Sequence, residues 1–207
     1  MDTTRKPPDA CGEVESMSDM ASTTEASERL ITVEEFDRMW ERGNIKPDDR
    51  VELIEGRIVR REPMNAPHAS IVARTMARLV HGLGDHVTIW TQLPFVASEH
   101  SKPFPDFALV KNRDDYYAGG LPVPHDVVAV VEVSDTRLRF DRGEKLRLYA
   151  RVGIREYWIV NVKKKETELY RDQHELGYAA RTVATKGENV AFTAFPDVLF
   201  SVDELVG

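Results

Sequence analysis

The stretch that constrains the fold most is residues 127–135, VVAVVEVSD. Side chains alternate across a strand, so Val128, Val130, Glu132 and Ser134 share one face, and Val127, Ala129, Val131, Val133 and Asp135 share the other. Both faces are apolar along most of the run, as in a central strand covered by a layer on each side. Residues 140–152 then repeat at helical spacing and stop at Gly153, and residues 155–162, REYWIVNV, read as another strand. A strand, helix, strand unit from Val127 to Val162 calls for a right-handed crossover between parallel neighbours. The hairpins around it call for antiparallel pairs. The expectation is an α/β domain with a mixed central sheet flanked by helices.

Thr32 and Glu35 form a capping-box pattern ahead of a short helix, Val33–Glu41, with Gly43 beyond its end. Residues 50–62, RVELIEGRIVRRE, read as a β-hairpin turning at Glu55-Gly56. A helix is expected from Pro67 to the glycines 82 and 84, followed by strands at His86–Thr91, Phe95–Ala97 and Asp106–Val110. Residues 111–126 are rich in charge, Gly and Pro and read as a loop. Strands are expected at ETELYRD, YAARTVAT and ENVAFTAF, between residues 166 and 195.

Of the formal charge of −7, residues 1–30 carry −4 and the remainder −3. The first segment has no aromatic residue and no Leu before Leu30, too little apolar surface to offset the entropy of ordering, so residues 1–29 are expected to be a disordered tail and residues 30–207 the folded domain. The single cysteine, Cys11, excludes an intrachain disulfide, and its place in that tail argues against a thiol-based centre in the domain. No secretory signal or bilayer-length apolar run is visible, so a cytoplasmic protein without a membrane partner is expected. The near-neutral remainder argues against a broadly basic surface but leaves room for a local basic patch.

Glu132 lies on an apolar strand face, where an unpaired carboxylate costs several kcal/mol or takes up a proton. Two readings stand at this point: a functional acid, or a half-exposed carboxylate near the strand end paired with an arginine. A second acid precedes an apolar strand at residues 104–110, FPDFALV. Asp106 and Glu132 on neighbouring strands suit a hard divalent cation such as Mg²⁺, which is held by one or two carboxylates together with water and phosphate oxygens.

Pro105-Asp106 followed by Glu132-Val133-Ser134 resembles the signature of the PD-(D/E)XK nucleases, and the surroundings resemble one branch, the Uma-two family of restriction-endonuclease-like proteins. The matching stretches are VELIEGRIV, Pro67-His68, FPDFALV, VVEVSD, DRGEKLRLYARVGIREYWIVNV, ELYR and FPDVLFSVDEL, in that order from about Leu30 to Gly207. The resemblance implies a restriction-endonuclease-like fold and a DNA phosphodiesterase, with Asp106 and Glu132 as ligands of Mg²⁺ or Mn²⁺. The superfamily's lysine two residues after the Glu is replaced here by Ser134, which carries no charge.

Asp141, Lys145 and Tyr149 are spaced i, i+4 and i+8 on the following helix and share a face. The resemblance makes Lys145 the migrated lysine, whereas the residues alone also allow a surface ion pair of Asp141 with Lys145. Glu52 matches the acid that opens the family pattern and is a further catalytic candidate; otherwise it is an exposed strand residue. His68, Ser134 and Tyr149 are supporting candidates. Glu156 and Trp158 also match, and read most simply as structural. No phosphate-binding loop, dinucleotide fingerprint, HExxH or GxSxG motif is present. A basic run, Lys163 to Lys165, reads as a solvated turn. The sequence therefore points to a metal-dependent endonuclease acting on DNA, with a homodimer allowed by the need to cut two strands, or alternatively to a non-catalytic binding or assembly protein on the same fold.

Overall fold

A computed structural model describes Met1 and residues 29–207. The tail expected over residues 1–29 lies outside the described residues apart from its two ends.

Helix α1 (Val33–Glu41) opens on the expected capping box: the Glu35 N–H donates to Thr32 Oγ1 at 3.2 Å, and the Thr32 N–H donates to the Glu35 carboxylate at 3.1 Å. Its Phe36 packs with Ile45, Val51 and Leu53 beneath the hairpin of β1 (Val51–Ile54) and β2 (Arg57–Arg60). Glu55 and Gly56 make the turn at φ of 49° and 75°, the left-handed pair that suits the twist of a two-residue hairpin. A Cβ on Gly56 would stand 2.5 Å from the Leu30 Cβ, so only glycine fits there. This hairpin is a sheet of its own and does not join the central one.

Helix α2 (Ala66–Leu83) starts one residue ahead of Pro67, because the Asn65 side chain accepts the His68 N–H at 2.9 Å and caps it. The central sheet has six strands in sequence order: β3 (Val87–Thr91), β4 (Phe107–Lys111), β5 (Val127–Ser134), β6 (Tyr157–Asn161), β7 (Glu166–His174) and β8 (Gly177–Ala184). Only β5 and β6 run parallel, joined by the expected crossover. That crossover is a short turn α3 (Leu138–Phe140), a π-helical turn over Asp141–Lys145, and α4 (Leu146–Arg151). Helix α2 and the terminal α5 (Val202–Val206) cover one face of the sheet with Val131, Val133 and Trp158, and α4 covers the other with Val130, Tyr157 and Ile159.

Two strand expectations fail. Residues Phe95–Ala97 form a loop whose N–H groups go to Pro103, Pro122 and Ser101, since prolines 94, 103 and 105 deny a ladder its donors. In ENVAFTAF only β9 (Asn189–Val190) is a strand, paired with β10 (Phe200–Ser201) in a separate two-stranded sheet. Beyond it the chain turns so that Phe192 stacks on Trp158 at 3.7 Å between ring centres. Strict alternation along β5 also fails at its start. Leu109 pairs with Ala129 but Val110 pairs with Val127, so Val128 bulges and faces the same core as Ala129. From Ala129 onward the alternation holds, and Glu132 stands on the α4 side with Val130.

The crossover is tied to the sheet by charge. Arg142, inside the π turn, donates through Nε to both oxygens of the buried Glu168 on β7, at 3.0 and 3.1 Å, and Arg181 on β8 donates to the same carboxylate at 3.0 Å. Although burial pushes Glu168 upward, hydrogen bonds from Arg142, Tyr170 and Arg181 outweigh it and hold this carboxyl below its ordinary 4.5. The unfolded chain therefore binds the proton at a higher pH than the native chain, and the stability Glu168 contributes is present above about 4.5 and lost as pH falls further. Glu168→Gln is expected to lower neutral-pH stability by about 1–3 kcal/mol and to flatten the acid-side slope, read from urea denaturation at a series of pH values. An unchanged slope would remove Glu168 from this role.

Candidate active site

At the C-terminal end of β5, a cleft opens between the β1–β2 hairpin, the start of α2 and the π turn. Glu132 is 4% exposed. One of its carboxylate oxygens, Oε1, accepts from Lys145 Nζ and from Tyr149 Oη, each at 2.8 Å, and the other accepts the Asp106 N–H at 3.3 Å. Asp106, just before β4, accepts the Val133 N–H at 2.8 Å through Oδ2. Its Oδ1 lies 3.4 Å from His68 Nε2 and accepts from Gln92 Nε2 at 3.2 Å. The two acids thus brace each other across β4 and β5, each fixed by the other strand's backbone.

Lys145, 5% exposed, also stands 3.3 Å from Glu52 Oε2. Glu52 is fully buried, contrary to the exposed-strand alternative, because the loop at Phe104 closes over β1 and the Phe104 N–H donates to its carboxylate at 3.2 Å. Asp141, 6% exposed, is equally far from a surface ion pair. The Ser134 hydroxyl, where the resemblance expects a lysine, is buried without a hydrogen-bond partner among the described residues, while Lys145 reaches the carboxylates from the crossover. The π turn widens the helix locally where Lys145 must reach inward, and such turns recur at functional positions.

The protonation preferences follow from this packing. Burial pushes Glu132 upward, with the Asp106 charge adding to the effect, while the Lys145 ammonium at 2.8 Å opposes it and pairs with the carboxylate. Asp106 goes the other way: burial raises it, but the His68 hydrogen bond and charge, the Val133 N–H and Lys145 together hold it below the usual carboxylate range. The bond to Asp106 raises His68 against its own burial. Lys145 is raised although burial opposes it, because Glu132, Glu52 and Asp141 surround it. Lys145 is therefore a fixed cation: it can donate hydrogen bonds and stabilise negative charge, and it has no basic lone pair to offer at neutral pH.

All seven sequence candidates, Glu52, His68, Asp106, Glu132, Ser134, Lys145 and Tyr149, meet here; all but Tyr149 line the cleft, and Tyr149 supports Glu132 from beneath. Glu156 and Trp158 lie elsewhere, with Glu156 accepting from Trp158, Arg171 and the Thr193 N–H as a structural hub. Sequence reasoning missed Arg61 and Arg137 in the cleft wall and Gln92 against Asp106. Gln92 carries no sequence signal; its φ of 51° appears only in three dimensions. As a donor set the centre is oxygen-rich and short of positive charge. Among the described residues no group of three His, Cys, Asp or Glu side chains is assembled as a metal cage.

The Uma2 family, whose description reads "Putative restriction endonuclease", matches residues 33–203. No curated protein matches the chain. Among solved structures the chain is similar to a putative nuclease belonging to DUF820 from Anabaena variabilis ATCC 29413. The TM-score is 0.66 at 14% sequence identity, over 85% of this chain and 97% of the other. That likeness shows the fold.

Removing one partner of a buried ion pair strands the rest. Lys145→Met is expected to destabilise the protein by about 3–5 kcal/mol in chemical denaturation, and adding Glu132→Gln is expected to return part of the loss. Strict additivity of the two changes would show that Lys145 and Glu132 are not coupled.

Proposed function

The chain belongs to the Uma2 family, and on that premise we propose that it is a divalent-metal-dependent nuclease that hydrolyses phosphodiester bonds in DNA. The observation that carries the reading is the mutual bracing of Asp106 and Glu132 on adjacent strands beside the cationic Lys145.

The donor set fits Mg²⁺ or Mn²⁺. It offers hard carboxylate oxygens of Asp106 and Glu132 on adjacent strands, and burial together with the Asp106 charge raises Glu132, a cost that a further cation would relieve. Asp106 and Glu132 would hold the ion, which would complete its shell with water and substrate oxygens. When bound, it would supply positive charge beside the scissile phosphate and acidify water.

The chain's own residues do the rest. Tyr149 and Lys145 hold the Glu132 carboxylate in one orientation. Lys145, kept protonated, orients water through its N–H groups and offsets the negative charge that builds up on phosphate oxygens. Glu52 fixes Lys145 from the far side. His68, raised by Asp106, is placed at the cleft wall to steady that carboxylate. These assignments make Asp106, Glu132 and Lys145 catalytic and Glu52 and Tyr149 positioning residues.

Supercoiled plasmid incubated with Mg²⁺ or Mn²⁺ is expected to be nicked, and EDTA is expected to stop the reaction. Asp106→Asn and Glu132→Gln are each expected to lower the rate by roughly a hundredfold or more while keeping the far-ultraviolet circular dichroism of the parent. Either metal should raise the melting temperature of the parent more than that of the two variants. An absence of metal-dependent cleavage, or full activity in both variants, would overturn the proposal in favour of a binding protein on this fold.

A further inference from the structure

Arg61 stands apart from every other cation of the cleft. It follows β2 directly, and its N–H continues the hairpin ladder to the Arg50 carbonyl at 2.6 Å. Glu52 pairs with Val59 in that hairpin, and Arg61 lies two residues beyond Val59, so alternation carries it to the face on which Glu52 enters the site. The guanidinium lies over the Phe104 ring, 4.7 Å from its centre and two residues along the chain from Asp106. It lines the same cleft as Asp106, Glu132 and Lys145.

Its hydrogen bonding is incomplete. The Nε is buried and finds no partner among the described residues. The carboxylates that act on Arg61 through space are engaged elsewhere: Glu52 through Oε2 with the Phe104 N–H and Lys145, its Oε1 keeping no hydrogen-bond partner among the described residues and Arg137 standing 3.8 Å from it, Glu132 with Lys145 and Tyr149, and Asp106 with Val133 and Gln92. Burial weakens the guanidinium's hold on its proton more than those carboxylates strengthen it. A partly buried guanidinium with an unpartnered Nε is suited to an anion, since its planar fork can donate to two oxygens of one tetrahedral centre. Arg50 and Arg137 line the same cleft and add positive charge beside Arg61, where the acids Glu62 and Asp135 also line it.

We infer that Arg61 is a phosphate clamp, donating from its fork to two non-bridging oxygens of a DNA phosphodiester seated in the cleft. The inference rests on the nuclease reading for the identity of the anion. Phe104 lies under the guanidinium, and Asp106 and Lys145 share the same cleft. Arg61 thus adds substrate binding to a centre whose other residues orient carboxylates and water.

The test uses the full chain and a short fluorescein-labelled DNA duplex with Ca²⁺ in place of Mg²⁺, read by anisotropy over a series of salt concentrations. Arg61→Gln is expected to weaken binding by roughly tenfold or more and to reduce the slope of log affinity against log salt by about one. Arg61→Lys, which keeps the charge without the fork, is expected to retain the slope and lose part of the affinity. Arg113→Gln, at an exposed residue paired with Asp115 outside the cleft, serves as the control and is expected to match the parent. Melting temperatures of all variants separate a folding defect from a binding one. An unchanged slope in a folded Arg61→Gln, or no duplex binding by the parent, overturns the clamp. Arg61-dependent binding without any metal-dependent cleavage supports the clamp and sinks the nuclease reading alone.

Discussion

The contact on which the rest of the site depends is the ammonium of Lys145 at 2.8 Å from Glu132, buried beneath the crossover. Taking both charges out of water is costly, and the attraction between them does not by itself make such a pair a stabilising feature. The surrounding architecture reads as the set of conditions under which the pair can exist. The parallel step from β5 to β6 brings the crossover over the sheet, the π turn aims Lys145 inward, and Arg142 anchors that turn to Glu168. The hairpin adds Glu52 on the far side of the ammonium. Remove any of these and a charge is left without its partner.

The central acid was legible in sequence because a single strand's alternation is a local property. VVAVVEVSD placed Glu132 among valines, and from Ala129 onward that face is the observed one. The bulge at Val128 was not legible, since it arises from the register with β4. The α1 cap at Thr32 and the hairpin turn at Glu55-Gly56 were legible for the same local reason. By contrast, Phe95–Ala97 had strand composition, but its neighbouring prolines sent its backbone into a loop held by distant residues.

Among the candidate site residues, the split follows the same line. Asp141, Lys145 and Tyr149 share a helical face by spacing, yet spacing cannot distinguish a solvated ion pair from a buried one, and the π turn between the first two leaves no mark in composition. Glu52 is a strand residue whose burial depends on a loop some fifty residues later, at Phe104. Gln92 and Arg61 are named by the structure alone, one through a backbone turn and the other through a ring beneath it. Family resemblance singled out Glu52 and Lys145; the geometry adds the reason that both must be where they are, which is that each neutralises the other.

Net charge misdescribes such a centre. The chain carries −7 overall, and Glu52, Asp106, Glu132 and Asp141 cluster in the cleft, with Glu62 and Asp135 on its more exposed rim. A polyanion would be repelled by that group taken alone. The arrangement separates the two signs: carboxylates sit within hydrogen-bonding reach of Lys145 and the strand backbones, while Arg50, Arg61 and Arg137 stand in the same walls on other elements. At separations of a few ångströms in a partly desolvated cleft, local geometry outweighs the sum over a distant surface, which salt screens within about 10 Å. A mildly acidic domain can therefore hold cations and carboxylates in one cleft, Arg61 brought to it by the hairpin and Lys145 by the crossover.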